Sequence, residues 1–142
     1  MIVKMKYRDA LLGNNFFEKN IKSLKACTSV QENLPKTISE NISVLSTSCL
    51  TLRYKNILLH SSYDPEKEAL NFAKKLNPGD RICLYGFGLG YHLNTILKKI
   101  GPDGCLLVIE LNLEILTAAL HLRDLTEILG DQRFRLIYGT DE

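Results

Sequence analysis

The spacing of apolar residues changes several times along the chain, and each change predicts a different element. Within residues 7–26, Phe16, Phe17, Ile21 and Leu24 recur at helical spacing, with Gly13-Asn14-Asn15 as a break. Residues 28–41 are polar and carry Pro35, which reads as connection or short helix. From Ile42 to His60 the pattern becomes β-prone: Val44, Leu50, Leu52, then Ile57-Leu58-Leu59. Tyr54-Lys55-Asn56 would turn one strand into the next, so a small antiparallel element is expected there. Asp64 can cap a helix and Pro65 suits its first position. Ala69, Leu70, Phe72, Ala73 and Leu76 would form its buried face, and Asn77-Pro78-Gly79-Asp80 would end it in a turn.

The second half reads as alternating strand and helix. Ile82-Cys83-Leu84-Tyr85 is an apolar run of buried-strand type, followed by the glycine loop Gly86-Phe87-Gly88-Leu89-Gly90. Leu89, Leu93, Ile96, Leu97 and Ile100 then repeat at helical spacing up to the turn Gly101-Pro102-Asp103-Gly104. Leu106 to Ile109 is a second strand ending at Glu110, residues 113–129 are helical, and Phe134 to Tyr138 is a third strand. Strands alternating with helices imply a parallel sheet with right-handed crossovers. The expected class is therefore α/β: a Rossmann-like, incomplete doubly wound parallel sheet, preceded by a helical and small antiparallel β segment. The expected division is 1–62 for the first segment and 63–142 for the Rossmann-like half-domain. Three strands make half of such a sheet, so the sequence reads as the front part of a longer protein.

Composition narrows the classes without selecting one. The chain has 142 residues and a net charge of +2, with acids and bases mixed. That balance argues against nucleic acid and against an anionic membrane as partner. The basic residues Lys4, Lys6, Arg8, Lys19, Lys22 and Lys25 read as a solvated helix face. The four cysteines form no CxxC pair, so no structural metal is expected. Cys83 and Cys105 lie inside apolar runs and read as reduced, core-filling residues, which points to the cytosol. The tract from Cys105 to Leu120 is broken by Glu110, Asn112 and Glu114 and does not read as a membrane span.

The glycine loop is the main candidate site. Glycines between a strand and a helix permit positive φ and let a ligand approach the backbone N–H groups at the helix start. The spacing is G-x-G-x-G, with Tyr91 where a dinucleotide fingerprint would have glycine. This form occurs in S-adenosylmethionine methyltransferases and in several other Rossmann-like proteins; the alternative is a tight packing turn that holds no ligand. Glu110 ends the following strand, where a carboxylate accepts bonds from ribose hydroxyls or simply faces solvent. His92 lies in the first turn of the helix, placed to meet a phosphate or to pack; His60 precedes a helix start and reads as part of its cap. His121 reads as a helix-surface residue.

Two phrases make the sequence more specific than its glycines do. Leu58-Leu59-His60-Ser61-Ser62-Tyr63-Asp64-Pro65-Glu66-Lys67-Glu68-Ala69 is followed by Tyr85-Gly86-Phe87-Gly88-Leu89-Gly90-Tyr91-His92 and by Val108-Ile109-Glu110-Leu111-Asn112. Together with Phe17-Glu18-Lys19-Asn20 they resemble the N-terminal part of the motility accessory factor (Maf) family. Those bacterial proteins are implicated in glycosylating flagellin with nonulosonic acids such as pseudaminic acid. Their central domain is similar to archaeal 6-hydroxymethylpterin diphosphokinase and to sialyltransferase-like folds. The resemblance spans roughly residues 15–140 and so maps onto the N-terminal domain. It implies a docking or nucleotide-binding module of a glycosyltransferase whose catalytic domain lies elsewhere. It matches Gly86, Gly88, Gly90, Tyr91, His92 and Glu110, which become the candidate ligand-binding residues. The candidate ligands are a CMP-sugar or other nucleotide, and S-adenosylmethionine if the chain is methyltransferase-like instead. Flagellin, a following catalytic domain, and a second copy paired at the open sheet edge are the candidate partners.

Overall fold

The computed structural model describes residues 3–5, 16–27, 34–46, 49–59 and 65–139, with side chains omitted for 3–5 and 25–27. The expected break at Gly13-Asn14-Asn15, the cap at Asp64 and His60 lie outside the described residues. In chain order the elements are β1 (Val3–Met5), α1 (Phe17–Cys27), β2 (Ile42–Ser46), β3 (Leu50–Tyr54) and β4 (Ile57–Leu58). Then follow α2 (Pro65–Ala73), β5 (Arg81–Tyr85), α3 (Tyr91–Ile100), β6 (Cys105–Glu110), α4 (Leu113–Leu122), α5 (Thr126–Leu129) and β7 (Phe134–Tyr138).

Among the described residues the strands form two sheets. The antiparallel sheet has the order β1-β2-β3-β4, and its β3–β4 turn uses Lys55 at φ 53°. β1 was not expected, because a three-residue strand is too short to show alternation. The parallel sheet has the order β5-β6-β7, with Leu84 opposite Val108 and Val108 opposite Leu136. This is the α/β arrangement expected from the sequence. The helix predicted over 113–129 is split, because Arg123, Asp124 and Leu125 leave the helical path between α4 and α5.

One hydrophobic core serves both sheets. Phe17, Leu24, Val44 and Leu52 belong to the same cluster as Leu93, Ile96, Leu106, Leu116, Phe134 and Leu136. The amide of Asn20 joins α1 to the α4–α5 break. Its Nδ2 donates to the carbonyls of Leu120 (2.8 Å) and Arg123 (2.7 Å), and its Oδ1 accepts from the Leu125 N–H (2.9 Å). A buried amide bonded three ways stabilises this contact, whereas an unpaired one would cost about 1–3 kcal/mol.

Three burial expectations are corrected. Cys83 and Cys105 are exposed, not core-filling, because among the described residues the parallel sheet is covered on one face only. Along β5 and β7 exposed residues alternate with more buried ones, and the register places Arg81, Cys83, Tyr85, Cys105, Leu107 and Ile109 on the uncovered face with Arg135 and Ile137. Leu70 and Phe72 of α2 are also exposed. The helix rests on Ala69 and Ala73, one turn apart, and at about 100° per residue Leu70 and Phe72 fall on opposite flanks of that stripe. His121, expected at the surface, is buried beneath α1, with its ring stacked on Phe17 at 4.2 Å.

Candidate functional site

The glycine loop joins β5 to α3, and its geometry is set by alternation. Gly86, Gly88 and Gly90 all take positive φ (97°, 55° and 78°), while Phe87 and Leu89 between them point inward and are wholly buried. A chain that must turn its side chains inward at every second residue of so tight a bend needs glycine at the others. Gly90 has an additional reason: a Cβ there would lie 3.1 Å from Leu125 Cδ2 and 3.3 Å from the Phe87 ring. Gly86 has nothing within 4 Å of that position, so it is the backbone angle alone that selects glycine.

Glu110 is buried against this loop. One carboxylate oxygen accepts from the Phe87 N–H at 2.8 Å, the other from the Asn112 N–H at 2.8 Å. The Gly86 N–H donates to the Ile109 carbonyl at 2.8 Å, extending the β5–β6 pairing into the loop. Asn112 in turn caps α4, its Oδ1 accepting from the N–H groups of Glu114 and Ile115. The acidic residue at the strand end therefore holds two turns together, each oxygen already bonded to a backbone donor.

Tyr91 and His92 leave the loop in a different direction. The Tyr91 hydroxyl donates to the Leu50 carbonyl at 2.7 Å, tying α3 to the antiparallel sheet, and burial raises its pKa. Burial lowers the pKa of His92, opposed by a hydrogen bond to the Gly86 backbone and by the charge of Glu68, and favours the neutral imidazole at pH 7. Both residues line a crevice of about 260 Å³ with Glu68, Phe72, Leu84 and Tyr85. Pockets for drug-sized ligands run from about 300 to 1,000 Å³. The crevice has room for a ring or a small polar group, not for an extended nucleotide-sugar. Gly86, Gly88, Gly90 and Glu110 are not part of its wall.

All six candidate residues thus meet at one corner of the parallel sheet, yet they divide into a self-bonded loop and a crevice wall. Two residues that matter here were not among the candidates read from the sequence. Arg123 reaches back from the end of α4, and its Nη1 donates to the Leu89 carbonyl at 2.8 Å. Glu68 faces His92 from α2, and only the fold brings them near each other. Among the described residues, no group of three or more His, Cys, Asp or Glu is arranged to hold a metal ion. No helix among them is long and apolar enough to cross a membrane.

The family model described as the glycosyltransferase Maf N-terminal domain matches residues 13–135. No curated protein matches the chain. Among solved structures, a Maf glycosyltransferase from Magnetospirillum magneticum AMB-1 is similar over 95% of this chain, with 14% identity and a TM-score of 0.47. This chain spans 27% of the length of that one. A fibrillarin from Aeropyrum pernix, in complex with natively bound S-adenosyl-L-methionine, is similar over 78% of this chain and 58% of its own, with 16% identity and a TM-score of 0.38.

Proposed function

Starting from the fact that this chain belongs to the glycosyltransferase Maf N-terminal domain family, we propose that it is the docking module of an enzyme transferring a nonulosonic acid to flagellin. It contributes a surface, and the transfer chemistry belongs to a following domain. The observation that carries this reading is the uncovered face of β5-β6-β7. Parallel sheets are normally buried on both faces. Here Tyr85 is 79% and Ile137 50% exposed, with the Cys83 and Cys105 thiols on the same face. Burying a large apolar side chain contributes about 1.5–3 kcal/mol, so a covering layer has a strong driving force. The loop agrees with this reading, since Glu110 is bonded to the backbone of its own chain.

The thiols provide the test. Alkylation of Cys83 and Cys105 is expected to be fast in the isolated chain and slow when the rest of a Maf-like enzyme is present. Equal rates in both would sink the docking reading. Light scattering of the isolated chain identifies the competing occupant, a second copy. In cells, Tyr85→Glu with Ile137→Glu is expected to strip the glycan mass from flagellin, and an unchanged mass would remove flagellin from the proposal.

A second reading is favoured by one feature, the crevice beside Tyr91 and His92. There the module would retain a small ligand, either the base of a CMP-linked sugar or part of S-adenosylmethionine. Calorimetric titration with CMP, CMP-linked nonulosonic acid, S-adenosylmethionine and S-adenosylhomocysteine separates these. Heat from CMP alone supports a live nucleotide site, and heat from an adenosyl ligand supports the methyltransferase-like alternative. Silence from all four leaves the docking role.

A further inference from the structure

A second surface, on α2 and α3, has a pattern of its own. Lys67, Leu70, Asn71 and Lys74 follow the spacing i, i+3, i+4, i+7, which places them along one stripe of α2. Lys74 stays on that stripe because its N–H still donates to the Leu70 carbonyl, at 3.2 Å. Thr95, Lys98 and Lys99 repeat i, i+3, i+4 on α3. The two helices pack side by side, and the stripes enclose a groove of about 640 Å³. Leu70 is 57% exposed in it, Ala73 completes the apolar part, and no carboxylate lines it. Lys74, Lys98 and Lys99 make no ion pair among the described residues; the Lys74 Nζ donates only to Asn71 Oδ1, at 3.0 Å.

Singly exposed leucines and solvated lysines are ordinary on any surface. The difference here is their combination: a concave apolar strip between two helices with a rim of one sign. We infer that this groove docks an acidic amphipathic helix of a partner protein. Seven residues of α-helix rise about 10.5 Å, so a partner helix with carboxylates at i and i+7 spans the distance from Lys67 to Lys74. Its apolar residues at i+3 and i+4 then lie over Leu70, and further carboxylates reach Lys98 and Lys99. The groove offers no aromatic ring for a base to stack on, which disfavours single-stranded nucleic acid. A hollow between helices also fits a cylinder better than it fits a membrane plane. This site is separate from the uncovered sheet face and does not depend on what covers that face.

The test uses the chain with two synthetic helical peptides of equal composition. One carries glutamates at i and i+7 around leucines at i+3 and i+4; the other has the same residues permuted. Fluorescence anisotropy is expected to show the first binding more tightly and weakening as salt rises, because exposed charge is screened within about 10 Å at 0.1 M. Lys67→Glu with Lys74→Glu is expected to weaken it on the order of tenfold. Leu70→Asp is expected to do the same, with circular dichroism unchanged in both variants. Equal binding of the two peptides, no binding of either, or an affinity indifferent to charge reversal overturns the inference. Co-sedimentation with vesicles of anionic lipid in place of peptide binding would overturn it too, in favour of a membrane surface.

Discussion

The guanidinium of Arg123 lies 4.1 Å from the centre of the Tyr91 ring while its Nη1 bonds to the Leu89 carbonyl. Through the Tyr91 hydroxyl the same chain of contacts continues to Leu50 in the antiparallel sheet. One side chain at the end of α4 thus ties together the glycine loop, the first residue of α3 and the other sheet. A lysine cannot both lie flat on the ring and donate at this angle. Arg123→Lys is therefore expected to destabilise the fold by about 1–2 kcal/mol, read from urea unfolding. A midpoint unchanged from that of the parent chain would show that the contact is incidental.

Glu110→Gln separates a structural carboxylate from a waiting ligand group. Glutamine retains one acceptor oxygen where two backbone donors, Phe87 N–H and Asn112 N–H, now converge. Leaving one of them without a partner is expected to cost about 1–3 kcal/mol of stability. If the variant unfolds at the parent's urea concentration, the carboxylate is not what holds the two turns.

The glycines of the loop are expected to differ in sensitivity. Gly86→Ala meets open space and bears only the cost of its positive φ, about 1–2 kcal/mol. Gly90→Ala adds contacts with Leu125 and Phe87 at 3.1 and 3.3 Å, and is expected to lose more. Thermal denaturation of the two variants side by side decides the order, and a more damaging Gly86→Ala would point to a role for that glycine outside packing.

Acid is expected to loosen the fold through its histidines. Burial lowers the pKa of both His92 and His121 from the ordinary 6.5. Their contribution is complete above about pH 6.5 and is lost as the pH falls through the lowered folded values, because the unfolded chain takes up protons first. The urea midpoint should therefore drop between pH 7.5 and 5.5, ahead of any loss from the hydrogen-bonded carboxylates Glu114, Asp124 and Asp131, whose pKa values are also lowered. His121→Phe keeps a ring against Phe17 and should flatten that slope; an unaltered slope would assign it elsewhere.

Much of the parallel half was legible because its signals are local. Strand, glycine turn and helix follow one another in sequence from Ile82 to Ile100, and the residues that recur at helical spacing, Leu93, Ile96, Leu97 and Ile100, are buried in the structure. The failures share a different cause. Cys83 and Cys105 looked like core because an apolar strand does not reveal whether both its faces are covered. His121 looked like surface because the helix that covers it lies about a hundred residues earlier. At the candidate site, the glycines were visible as a motif, but the occupation of Glu110 by its own backbone depends on where Phe87 and Asn112 point. The lysine groove was invisible for a related reason: each stripe alone is an ordinary solvated helix face, and only their adjacency makes a hollow.

The bonds of Asn20 also govern the order in which the molecule can assemble. Its partners lie 100, 103 and 105 residues further along the chain. A ribosome adding about 5–20 residues per second needs roughly 5–20 seconds to make them. Throughout that interval α1 has been synthesised while Leu120, Arg123 and Leu125 do not yet exist. Its apolar side chains Phe17 and Leu24 must wait for their final packing, exposed to whatever holds nascent chains. Helix α1 is therefore synthesised long before the residues that secure it.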